Sequence, residues 1–205
     1  MADFCTIDDV REFLQLDIDE ESKIASCMRA IVAATEAIRN YCHQEIELTE
    51  DEEITLDCWG GQRLFLPQLP VVSVSSVVED GDSLTAGSDE DYQLGQYGIL
   101  YRVGKNWASG IQIVTVVYTH GYETIPDDVV DVCTRAASRA FQAGLRASEM
   151  DGVPGIVSTS LGDFAVSFGA EGGGGVSEGV MGASASRMLL LSEKDTLNRY
   201  RYVAQ

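Results

Sequence analysis

The spacing of hydrophobic positions changes twice along this chain. Over residues 20–43 the apolar side chains Ile24, Cys27, Met28, Ile31, Ile38, Tyr41 and Cys42, with Thr35, fall at helical spacing. One sustained stripe of this kind predicts a long amphipathic helix that needs a partner. A shorter helix is expected ahead of it, from residue 6 to about residue 16. Thr6 is a suitable N-cap, Asp9 stands three residues on in a near capping box, and Val10, Phe13 and Leu14 supply the apolar face. Leu16-Asp17-Ile18-Asp19 breaks it. Between residues 45 and 124 the pattern becomes β-rich, with strands expected at 54–58, 63–66, 71–78, 92–94, 99–102 and 111–118. Trp59-Gly60-Gly61 and Asp80-Gly81 read as hairpin turns, and Pro67 and Pro70 separate the second and third strands. Helical spacing then returns over 126–148, through Val130, Cys133, Ala137, Phe141 and Gly144. Pro126 suits a first helical turn, and Asp127 and Asp128 suit the positive end of the helix dipole.

The two long stripes are each other's obvious cover, so helices 20–43 and 126–148 are expected to pack as an antiparallel pair. The β region then reads as an insertion. The predicted class is α+β: a small α-helical bundle with an inserted antiparallel β domain, of sandwich or barrel type, and an extended C-terminal tail. The boundaries are 1–44 for the N-terminal helices, 45–124 for the β domain, 125–148 for the remaining bundle helix and 149–205 for the tail. In the tail, segments 156–160 and 164–168 flank Leu161-Gly162-Asp163 as a hairpin. Residues 169–186 are a Gly-, Ser- and Ala-rich tether, too poor in apolar surface to order alone. Ser192-Glu193-Lys194-Asp195 reads as a capping box ahead of a closing helix over 196–202.

Composition narrows the function more than the fold. The chain has 205 residues, 45% of them hydrophobic, and a formal charge of −19. No apolar run approaches the roughly 20 residues of a membrane-spanning helix. The first residues carry no signal-peptide pattern, so an intracellular start is expected. The acidic blocks 45–57 and 79–91 contain no Lys or Arg, which disfavours reading of DNA grooves. They read either as solvated loops or as an acidic wall past which a polyanion slides without sticking. A calcium site in Asp80-Gly81-Asp82 or Asp89-Glu90-Asp91 is a further alternative, without a calcium-loop pattern to support it. The five cysteines form no C-x-x-C pair and read as buried free thiols. His43 and His120 are isolated and read as structural. The glycine run 172–175 lacks the Lys-Ser/Thr of a phosphate loop, and no catalytic constellation is present. No enzyme, cofactor or metal is expected.

A set of ordered segments carries a family likeness. These are the N-terminal helix pair, Leu66-Pro67-Gln68-Leu69-Pro70-Val71-Val72-Ser73-Val74, Asp91-Tyr92-Gln93-Leu94, and Gly98-Ile99-Leu100-Tyr101-Arg102 with Trp107. Val117-Tyr118-Thr119-His120-Gly121-Tyr122 follows, leading into Ile125-Pro126-Asp127-Asp128-Val129. Ser160-Leu161-Gly162-Asp163-Phe164 and Leu197-Asn198-Arg199-Tyr200-Arg201 close the set. In this order the chain resembles the head–tail connector (adaptor) proteins of long-tailed bacteriophages. It departs from them in the longer, glycine-rich 169–186 and the aliphatic run 188–191.

The resemblance implies a structural virion protein, made in the host cytoplasm and resident at the head–tail junction. It implies a dodecameric ring of copies beneath the portal protein, extending the DNA channel. The next connector or a tail terminator would be the further partner. Double-stranded DNA would pass through without sequence-specific binding, and no membrane partner is implied. Portal or subunit docking then falls to Leu189, Leu190, Leu191, Leu197, Arg199, Tyr200 and Arg201, an apolar and cationic chain end. Asp80, Asp82, Asp89, Glu90 and Asp91 become candidates for an acidic loop or channel lining. The competing reading is a stand-alone host binding module or a small enzyme of unknown activity.

Overall fold

The computed structural model describes residues 3–149, 158–161, 164–167 and 188–202. Its class is α+β, with helices and antiparallel sheets divided between two compact units. Neither unit is a continuous stretch of chain. A helical unit takes Asp3–Ile38 and Asp128–Thr196, and a β unit takes Arg39–Asp127 and the chain from Leu197 onward.

The helical unit opens with α1, Ile7–Leu14. Its capping box is complete: the Asp9 N–H donates to Thr6 Oγ1 at 3.2 Å, and the Thr6 N–H donates to Asp9 Oδ2 at 2.7 Å. Gln15 ends the helix in the left-handed region, and the break that follows buries Ile18. Helix α2, Glu21–Cys42, and helix α3, Asp127–Glu149, supply the core. Within this unit they run antiparallel. Thr35 of α2 meets Cys133 of α3, its hydroxyl 3.6 Å from the sulfur. Lower-numbered Ser26, Arg29 and Ala30 share a cleft with higher-numbered Ala140, Phe141 and Gly144.

The buried stripes keep most of the expected positions, among them Cys27, Ile31, Ile38, Cys133, Ala137 and Phe141, and are broader than the pattern. On α3 they comprise Val129, Val132, Cys133, Ala136, Ala137 and Phe141, with Val130 only half-buried. On α2, Ala30 and Ala34 are buried while Met28 is exposed. Alanines register weakly in a hydrophobic pattern, yet small residues at a crossing let two helix backbones approach closely. All five cysteines are buried free thiols. The Cys5 thiol donates to Cys133 at 3.3 Å; that bond and burial push the Cys5 thiol far up. Strands β8, Ser158–Leu161, and β9, Phe164–Ser167, pair as a hairpin. The expected tether over 169–186 lies outside the described residues.

In the β unit, strand β1 is Thr49–Trp59, β2 Arg63–Phe65, β3 Val71–Glu79 and β4 Asp82–Leu84. Strand β5 is Tyr92–Leu94, β6 Ile99–Arg102 and β7 Ser109–His120. One sheet has the order β1-β7-β3-β4 and the other β2-β6-β5, antiparallel throughout. Val114, Val116 and Tyr118 point inward from alternate positions of β7. They share one core with Cys58 and Val77 of the first sheet and with Leu64, Tyr92 and Leu100 of the second. Trp107, almost fully buried, joins the same core.

Of the two expected turns, one needs correcting and the other stands. Trp59-Gly60-Gly61 does not join paired strands, because β1 pairs with β7 and β2 with β6. It carries the chain from one sheet to the other. Asp80-Gly81 is a true two-residue hairpin turn, both residues left-handed, at φ 50° and 88°. The strand it creates, β4, was not expected, and so residues 80–91 are not a plain loop. Leu84 faces Val77 in the ladder.

The exit from β7 is fixed by Gly121 at φ 92°. Its N–H donates to Pro70 O at 2.9 Å, and the next N–H, of Tyr122, donates to Ile46 O at 2.9 Å. A Cβ at Gly121 would collide with the Glu47 carbonyl. Gly121→Ala is therefore expected to cost about 1–3 kcal/mol from backbone strain alone. Chemical denaturation of the variant checks it; a loss within experimental error of zero would show that the segment relaxes freely.

Candidate interaction surfaces

Each expected site residue has a definite place. Asp80 and Asp82 flank Gly81 at the tip of the β3–β4 hairpin; Asp89 and Glu90 lie on the return toward β5. All four are exposed, and none has a cationic partner among the described residues. Asp91 is different. Its carboxylate accepts from the Thr85 N–H at 3.1 Å and from Arg102 at 3.2 Å.

Arg102 is the hub of a buried cluster. It reaches from β6 to Glu79 at the end of β3, at 3.1 Å, and its guanidinium also meets the Asp91 carbonyl at 2.5 Å. Glu79 accepts a second bond, from the Ala108 N–H at 2.7 Å. The guanidinium carbon lies 5.4 Å from the Trp107 ring centroid, close enough for a cation–π contact. The two sheets of this unit are thereby tied by one charge-assisted network.

The Thr85 N–H, and after it Arg102, hold the Asp91 carboxyl below its ordinary value. A depressed carboxyl stabilises the fold above the unfolded value, about 3.9, and that contribution fades as pH falls through the folded value. Unfolding measured from pH 7 downward should therefore steepen below about pH 4. Asp91→Asn should flatten that part of the curve; an unchanged profile would show that other carboxylates dominate.

The seven residues expected to dock fall in both units, not one. Leu189 is buried in the helical unit, Leu190 is half-buried and Leu191 is exposed. Helix α4, Leu191–Leu197, begins earlier than expected, so Ser192 lies inside it. Glu193, not Ser192, performs the capping: it accepts the Leu190 N–H at 2.8 Å while Arg139 grips it bidentately at 2.6 and 2.7 Å. Leu197 is fully buried in the β unit, and its carbonyl accepts the Cys42 thiol at 3.9 Å. Burial pushes that thiol up to about 11. Residues 188–202 are thus part of the fold, and truncation after residue 185 would strip core side chains as well as any docking surface.

After Leu197 the chain forms a short 3-10 turn, Asn198–Tyr200. Tyr41 OH donates to Asn198 Oδ1 at 2.7 Å, and the Tyr202 N–H donates to Cys42 O at 2.8 Å. Tyr200 meets Tyr122 edge to face with ring centroids 5.9 Å apart, and Arg201 lies over Tyr41 at 5.6 Å. Arg199 and Arg201 are exposed.

These residues border a cleft of about 460 Å³ whose other walls include Leu69, Pro70, Val71 and Tyr122. Gln44 holds the cleft's backbone, donating to Pro67 O and accepting from the Leu69 N–H, each at 2.8 Å. Tyr97 stands at its mouth, 81% exposed and left-handed at φ 59°. Sequence reasoning did not find this cleft. Its walls come from distant segments, and the only local sign was Tyr97 beside Gly98 in a turn. No group of three or more His, Cys, Asp or Glu among the described residues is placed to hold a metal ion. No described helix is long and apolar enough to cross a membrane.

A family model described as "Head completion protein" matches residues 3–134, more than half of the 205. No curated protein sequence matches with significance. Among solved structures, the chain is similar to one from the neck of a native GTA particle computed with C12 symmetry. The two are 16% identical, with 97% of this chain and 89% of that one covered, at a TM-score of 0.42. A chain from the neck of an empty GTA particle computed with C6 symmetry is 18% identical, with coverage of 96% and 90% and a TM-score of 0.44.

Proposed function

Because this chain belongs to the head completion protein family, we propose that it is a structural virion protein of the head–tail junction. Copies form a ring beneath the portal, extend the DNA channel and join the filled head to the tail or to the next connector. The family match over residues 3–134 carries this reading. The surface chemistry supports it: at −19, with Asp80, Asp82, Asp89 and Glu90 exposed and without a cationic partner among the described residues, the chain repels phosphate and lets DNA slide past. Of the residues expected to dock, Leu191, Arg199, Tyr200 and Arg201 keep surface to offer the portal or a neighbouring subunit. The same charge opposes self-association at low salt, so ring assembly is assigned to the portal template.

The test is composition and loss of function in virus particles. The protein should be present at a fixed ratio to the portal, twelve copies being the resemblance's expectation. Particles made without it should fill with DNA and then lack tails or leak. Its absence from wild-type particles, or normal tailed particles without it, would overturn the proposal.

A further inference from the structure

The β unit carries two features its core does not use. Trp59, at the end of β1, is 85% exposed, and Ile111 on the adjacent β7 is 77% exposed. Trp59 is paired with Ser109 in the ladder, which puts both side chains at the β7 start. The acidic hairpin tip lies at the same end, because the Asp80 N–H donates to Ile113 O at 2.9 Å. This end therefore combines a large apolar knob with the unpaired carboxylates of Asp80 and Asp82.

The second feature sits at the other end of the same strand. Val71 is paired with His120, the last residue of β7, and Val71, Pro70 and Tyr122 wall the cleft. Through Leu69, Tyr97 and Arg201 the cleft adjoins a second one of about 330 Å³, walled by Phe65, Leu66 and Ile99. The socket is thus apolar and aromatic. Its rim is cationic, and Arg201 stacks on Tyr41 with no described carboxylate in ion-pair reach. Twelve residues of β7 separate the two ends, about 40 Å at strand rise.

We propose that these ends bind each other between copies: the Trp59–Ile111 knob of one subunit enters the cleft of the next. The carboxylates of Asp80 and Asp82 then face the neighbour's Arg201. The proposal rests on the ring reading above and names its subunit contact. Three observations select a second copy as the occupant. Knob and socket match in apolar character, with Trp the side chain most enriched among interface anchors. Their rims carry opposite charge in a chain otherwise dominated by acids. They lie at opposite ends of one sheet, so each contact leaves a free knob and a free socket. That is a heterologous interface, which repeats until rotation closes it.

Cysteine cross-linking in assembled particles tests this, since the five native cysteines are buried. Trp59→Cys combined with Tyr97→Cys should, on mild oxidation of particles, give a ladder from dimers to high multimers on a denaturing gel. Either single variant should give none. A ladder that stops at dimers would mean a symmetric contact and would overturn the proposal. So would no ladder from particles holding the double variant at normal occupancy; the ring reading would survive that result. Should the double variant fail to enter particles, a charge reversal decides. Arg201→Glu should lower incorporation at least about tenfold, and Asp80→Arg with Asp82→Arg should restore it. Absence of restoration would overturn the contact. Wild-type protein missing from particles would instead sink the ring reading itself.

Discussion

Arg102→Ala is expected to lower the stability of the β unit by about 3–5 kcal/mol. The side chain of Arg102 is 1% exposed and that of Glu79 10%. Removing the guanidinium leaves the Glu79 carboxylate buried with one backbone donor, Ala108, and no countercharge. It also frees the Asp91 carbonyl and carboxylate that Arg102 now holds. Replacing both partners, Arg102→Leu with Glu79→Leu, should cost less than the two single losses added together, because no lone charge remains. Denaturant unfolding of the three variants reads out this non-additivity. Additive losses would show that the pair contributes through packing alone.

Phe141→Ala should destabilise the helical unit by about 3–5 kcal/mol, the usual range for deleting a buried aromatic ring. Phe141 is nearly fully buried and stands where α3 already borders the cleft shared with Ser26, Arg29 and Ala30. The surrounding alanines have no length with which to fill the space left by the ring. Phe141→Leu keeps much of the volume and should cost less than about 1.5 kcal/mol. A loss below about 1 kcal/mol for the alanine variant would mean that α3 packs on α2 by another face.

Much of the fold was legible because its signals are local. The Thr6–Asp9 capping box, the turn at Asp80-Gly81 and the β-branched run of β7 each follow from a few neighbouring residues. What stayed hidden was set by partners far away in sequence. The strand pairing that makes Trp59-Gly60-Gly61 a crossover depends on β6 and β7, at 99–102 and 109–120. Strand β4 is polar but for Leu84 and forms because β3 offers it an edge across the Asp80-Gly81 turn. The broader buried faces of α2 and α3 include alanines, Ala30, Ala34 and Ala136, whose burial depends on the opposing helix.

The interaction surfaces divide in the same way. The acidic hairpin was visible as composition. Asp91 could not be separated from its neighbours until Arg102 was seen beside it. The leucines of the chain end read as free apolar surface, yet Leu189 and Leu197 are consumed by the fold. Trp59 read as part of a turn, and only the structure shows it ending β1 with its ring exposed.

The interleaving of the two units has a consequence for synthesis. Leu197 completes the β unit although that unit's strands all precede residue 121. Glu193 completes the Arg139 clamp in the helical unit. A nascent chain still held in the ribosome before these residues emerge has every strand of both main sheets yet neither finished core. Both cores can therefore be completed only after translation has passed residue 197.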